Sequence, residues 1–126
     1  MLGIKKEKDL SYVIETIEGV SAVRFIKQAT LDDIKSAMDD LSIDQPPLRL
    51  WDFSCNENWS IDELHEIAEY GKRKFTRPAK VAIVAPADIT FGLSRVHEIY
   101  RQNDILNQMV FRTEKEAIEW LKNQYA

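Results

Sequence analysis

Few side chains in this sequence could do chemistry. The candidate nucleophiles in the loop after LRLWDF are Ser54, Cys55 and Ser60, and the bases that could activate them are His65 and His97. A serine or cysteine hydrolase needs nucleophile and base within hydrogen-bond reach. No G-x-S-x-G elbow is present, and both histidines fall among charged residues on helical segments, where imidazoles are solvated. Acid–base work by paired carboxylates would fall to Asp52 and Asp88, the acidic pair that two strand ends could bring together. Each has a plainer use, Asp88 as a helix cap and Asp52 as an acceptor for loop amides. Metal ligation needs His, Cys or carboxylates clustered at short spacing, but Cys55 stands alone and the histidines are far apart, so no metal is expected. Gly3, Gly19, Gly71 and Gly92 form neither a dinucleotide fingerprint nor a P-loop, and no cofactor is expected. Asn58-Trp59-Ser60 fits a glycosylation sequon, which has meaning only in a secreted chain.

The elements that must position these residues are read from periodicity. Residues 10–17 and 20–27 are β-rich and separated by Glu18 and Gly19, the signature of a hairpin. Thr30 precedes Leu31, Ile34, Met38 and Leu41, which line one side of a helix with Thr30 as its N-cap. After Pro46 and Pro47, residues 48–53 (LRLWDF) read as a strand. Ser60 and Glu63 have capping-box spacing and open a helix at Ile61 that ends near Gly71. The apolar run 81–85 (VAIVA) reads as a central parallel strand covered on both faces, stopped by Pro86. Asp88 then caps a helix with Ile89, Leu93, Val96 and Tyr100 on one face. Residues 109–112 make a short last strand, and Thr113 with Glu116 opens a final helix bearing Ala117, Ile118, Trp120 and Leu121. The order ββαβαβαβα predicts an α/β fold in one domain over residues 1–126. Its single mixed sheet has an N-terminal hairpin and parallel core strands covered by about four helices.

Two stretches also carry a family likeness. Val84-Ala85-Pro86 runs into a helix bearing Phe91, Gly92, Leu93 and Arg95, and Phe111-Arg112 precedes a helix with Trp120-Leu121. In this the chain resembles the SpoIIAA-like branch of the STAS superfamily over nearly its whole length. The resemblance implies an α/β fold related to anti-sigma-factor antagonists and to CRAL-TRIO lipid-binding domains, in a group without an established general activity. Phosphorylated antagonists of that superfamily carry Asp-Ser-Ser where the loop after the third strand meets the next helix. Here the chain reads Asn58-Trp59-Ser60-Ile61-Asp62, with Ile61 at the acceptor position and Ser60 as an N-cap.

Composition excludes several classes. With 126 residues, 44% apolar and 30% charged, the chain can bury an ordinary core without disulfides or metals. Seventeen Lys plus Arg against 21 Asp plus Glu leave a net charge of −4, so nucleic acid is not an expected partner. No apolar run is long enough for stable membrane insertion, and none reads as a secretion signal, so a cytoplasmic location is expected. The basic stretch 72–80 (KRKFTRPAK) is read as complementing the dipole of the second helix, the alternative being a patch that docks on anionic lipid or an acidic partner, and Asp62, Glu63, Glu66 and Glu69 as its solvent face, the alternative being an interface.

What remains is a crevice outside the carboxyl ends of parallel strands, where loops and helix N-termini converge in open α/β sheets. Asp52, Phe53 and Ser54 leave one strand there, with Pro86, Asp88 and Phe91 beyond the other. Arg95, about two helical turns past Asp88, could pair with one of these carboxylates or hold an anion. Those seven residues are the expected ligand-binding set, though Trp51, Phe53 and Phe91 could equally fill core. The expected function is a non-enzymatic module that binds a small apolar or amphipathic ligand or a protein partner. Alternatives are a phospho-switch acting through Ser54 or Ser60, and a small hydrolase using Asp52, Asp88 or Ser54. The hairpin leaves a sheet edge through which a homodimer could form.

Overall fold

The computed structural model describes residues 6–8, 11–55, 59–86, 88–101 and 106–123. The hairpin joins β2 (Tyr12–Ile17) to β3 (Val20–Phe25). Its turn places Glu18 at φ 50° and Gly19 at φ 84°, the paired positive angles that match a two-residue connection to the twist of the strands. A three-residue strand, β1 (Lys6–Lys8), pairs antiparallel with β2. Periodicity could not find it, because a run of charged residues has no apolar face to read.

From β3 onward the chain alternates α1 (Leu31–Ser42), β4 (Leu48–Asp52), α2 (Ile61–Lys74), β5 (Ala79–Val84), α3 (Asp88–Arg101), β6 (Leu106–Phe111) and α4 (Glu114–Lys122). Strands β3 to β6 are parallel, and the sheet runs β1-β2-β3-β4-β5-β6 in chain order. Three boundaries extend past the expected ones. Helix α2 continues through Gly71 to Lys74, β5 begins at Ala79 directly after Pro78, and β6 begins at Leu106. In β6 the polar Asn107 and the buried Gln108 break the apolar signal, so only its second half was legible.

The sequential order decides which face each helix covers. Each parallel step moves one strand in the same direction, and right-handed crossovers then put α1, α2 and α3 on one face. There Ile34, Ala37, Met38, Leu41, Leu64 and Ile67 close over Val23, Trp51, Ile83 and Val110. Helix α4 follows the last strand, has no further strand to reach, and turns to the other face. It covers Val20, Ala22, Leu50, Ala82 and Val84 with Ala117, Ile118 and Leu121. Thr30, Ser60 and Thr113 each accept a backbone N–H three residues on, and the first two complete capping boxes with Asp33 and Glu63. Among the described residues, no helix is long and apolar enough to cross a membrane.

Candidate functional site

The two strand exits do lie side by side and point the same way, with Asp52 in register with Val84. They are zipped rather than parted. Phe53 N–H donates to Val84 O at 2.9 Å, and Ala85 N–H donates to Phe111 O at 2.9 Å, so the ladder runs one residue beyond the strands. A crevice in an open sheet forms where consecutive crossovers leave for opposite faces. After β4 and β5 both chains leave for the same face. The parting falls one strand further on, between the exits of β5 and β6. Arg112 fills that place, donating from Nη2 to Pro86 O at 2.9 Å with its guanidinium 5.0 Å from the centre of the Phe91 ring.

The expected site residues separate accordingly. Asp52 is committed on both oxygens: Oδ1 accepts from Ser54 N–H at 2.9 Å and from Ser54 Oγ at 2.6 Å, and Oδ2 faces Arg24 Nη1 at 3.1 Å. Arg24, the neighbour of Asp52 in register, also binds Glu15 and Glu114, both at 2.6 Å. The bond to Glu114, then that to Glu15, raises its pKa against the opposing effect of burial. Arg95 is not the partner of Asp52; its guanidinium is 3.9 Å from Glu98 on the same helix. The correction is topological, since Asp52 faces the α4 side of the sheet whereas α3 lies on the other. Asp88 begins α3, and its side chain, like that of His97, lies outside the described residues. His65 is exposed on α2, 3.9 Å from Glu69.

Phe53 belongs to the core. Together with Phe25 and Trp51 it forms a stack with centroid separations of 5.3 to 6.4 Å, and Trp59 meets it edge-on at 6.2 Å. Trp51, Phe53 and Phe25 share the three-helix face through the period-two alternation of β3 and β4. Phe91 is half-buried against the same cluster. Next to the stack, the loops entering α1 and α2 leave an open groove of about 630 Å³, with Ala29, Leu31 and Trp59 as apolar walls and Cys55 and Glu63 at its rim. Cys55 is exposed, as are Ile26 beyond β3 and Ile61 at the start of α2. This groove was missed because its walls are short loops, whose shape no periodicity encodes.

At the opposite, amino ends of the strands Arg49 is interior, whereas Lys80 and Gln45 are half-buried. Arg49 is 1% exposed, its Nε donates to Pro46 O at 2.8 Å, and its guanidinium lies 4.1 Å from the Phe75 ring centre. Lys80 donates to Trp120 O and Asn123 O, both at 2.7 Å, capping the carboxyl end of α4, and desolvation lowers its pKa. Gln45, at φ 46°, accepts the backbone N–H groups of Thr76 and Arg77. The basic stretch after Gly71 is spent similarly, with Lys74 on Asp39 at 3.0 Å and Lys72 near Glu69 at 3.8 Å.

No protein-family profile matches the sequence, and no curated protein matches it. A solved structure does: an uncharacterized protein of the DUF3478 family with a SpoIIAA-like fold, from Shewanella loihica PV-4. The likeness has a TM-score of 0.58 at 17% identity and covers 87% of this chain and 91% of the other. The chain is thus a single mixed α/β sheet of SpoIIAA-like fold, as its VAP turn and Phe-Arg strand end implied.

Proposed function

We propose that this chain is a non-enzymatic module that binds a segment of a protein partner in the groove between the amino ends of α1 and α2. One contrast supports the reading. The strand-end groups Asp52 and Ser54 are bonded to each other, and Asp52 also to Arg24, while the adjoining groove is open and lined by Ala29, Leu31 and Trp59 alongside polar Gln28, Thr30 and Glu63. Catalysis needs a nucleophile or base turned toward a substrate, and enclosure of a small ligand needs a concave space that the aromatic stack already fills. A surface groove with Leu31 and Trp59 in its lining, on a chain that also exposes Ile26 and Ile61, suits an extended or helical peptide with apolar anchors.

Cys55, the sole cysteine, allows a direct test. Labelled with an environment-sensitive fluorophore, it should show a blue shift with peptides selected by display against the protein, and Leu31→Asp should abolish the response. A blue shift with fatty acids and hydrophobic metabolites but not with peptides would overturn the reading in favour of a small-ligand site.

A further inference from the structure

The two edges of the sheet differ in kind. At one, β1 pairs along Tyr12 to Ile14, so the hairpin edge that the sequence offered for dimerisation carries Lys6, Glu7 and Lys8. Charged residues on a short outer strand are a means by which soluble proteins keep a sheet edge from pairing. At the other, β6 ends the sheet, with no strand beyond it among the described residues. Its six residues, LNQMVF, include no charge and no proline. The direction of its backbone groups follows from one bond. Phe111 O accepts from Ala85 N–H, so Phe111 turns toward β5, and alternation along the strand turns the N–H and C=O groups of Gln108 and Val110 to the open side.

The side chains alternate as well. Gln108 and Val110 are buried on the three-helix face, while Met109, in register with Ala82 on the α4 face, is 38% exposed. Phe111, two residues on, lies against Trp120 with ring centres 5.5 Å apart. We infer that β6 pairs antiparallel with β6 of a second copy of this chain, about a twofold axis through Met109, to give one sheet continuous over two chains. At that axis the two Met109 side chains form a directly opposed pair without hydrogen bonds, the closest kind of cross-strand neighbour. Gln108 of each copy then exchanges N–H···O bonds with Val110 of the other, through the backbone groups that face outward. Asn107 of each falls opposite Phe111 of the other. Charge selects a second copy at this edge and forbids it at the other. The uncharged strand meets itself without repulsion, whereas the same operation on β1 about Glu7 would set Glu7 against Glu7 and Lys6 against Lys8. The surface shares no residue with the peptide groove.

Sedimentation equilibrium should show a dimer at concentrations on the order of tens of micromolar, and the wild-type Tm should rise with protein concentration. Met109→Lys opposes two ammonium groups at the axis and should weaken association by about tenfold or more. Because this side chain is part-exposed in the single chain, the variant at high dilution should melt with the wild type. In a Cys55→Ser background, which removes the sole cysteine, Met109→Cys should be captured by oxidised glutathione as a disulfide-linked dimer. Opposed residues of this kind have Cα atoms about 4.5 Å apart, within disulfide reach. Asn107→Cys, opposite Phe111, should not be captured. A monomer throughout, a dimer indifferent to Met109→Lys, or linkage through Asn107→Cys rather than Met109→Cys would overturn the inference.

Discussion

At the carboxyl ends of the parallel strands the charged side chains are partly exposed and bonded to one another, Arg24 to Glu15, Asp52 and Glu114. At the amino ends they reach for backbone instead, buried Arg49 to Pro46 O and half-buried Lys80 to the last carbonyls of α4. Helix polarity explains the division. Helix N-termini gather at the carboxyl edge, where Thr30, Ser60 and Thr113 satisfy their N–H groups locally, while helix carbonyls gather at the amino edge and draw cations inward. The part-exposed Arg24 network can therefore change residues at small cost to the fold, and the buried Arg49 position cannot.

The largest test of that contrast is Arg49→Ala. It removes a buried cation and its packing on Phe75, and should cost about 3–5 kcal/mol in urea unfolding. Arg24→Ala, at a part-exposed network, should cost about 1 kcal/mol or less; equal losses would break the comparison. Next is Tyr12, whose hydroxyl donates to Asp40 Oδ2 at 2.6 Å. Tyr12→Phe should cost about 2 kcal/mol. Burial, then the bond to Asp40, pushes the Tyr12 pKa up to about 12. A raised pKa favours the neutral phenol in the fold, so this contribution is complete below about pH 10 and fades as pH rises through the shifted value. Tyrosinate absorbance should show this late titration, absent in Tyr12→Phe. Ser60→Ala should cost about 1 kcal/mol through loss of the α2 cap, with the chemical-denaturation slope unchanged. The smallest effect belongs to Arg95→Ala on the α3 surface, within about 0.5 kcal/mol, which sharpens the point that this residue is no partner of Asp52.

Much of this was legible in the sequence for local reasons. The caps at Thr30, Ser60 and Thr113, the apolar stripes of the helices and the adjacent, same-direction exits of LWDF and VAIVA follow from neighbours along the chain. What failed to be legible depends on tertiary choice. Nothing in LRLWDF says that Arg49 points inward, because its partners Pro46 O and Phe75 are set by the packing of the α2 end against the strand. Of the two carboxylates offered to Arg95, Asp52 lies on the other face of the sheet, and faces are fixed by strand order, which periodicity does not carry. Of the expected ligand set, Phe53 proved core, while Asp52, Ser54 and Pro86 are tied up near the strand exits.

The uneven cover of the sheet has a consequence for synthesis. Among the described residues, all the strands and three helices precede α4, so the chain up to that point presents Val20, Ala22, Leu50, Ala82 and Val84 as a greasy strip that Ala117, Ile118 and Leu121 later cover. A chain released after Phe111 would leave a sheet covered on one side and adhesive on the other, and quality-control machinery would meet it as an aggregation seed rather than a domain.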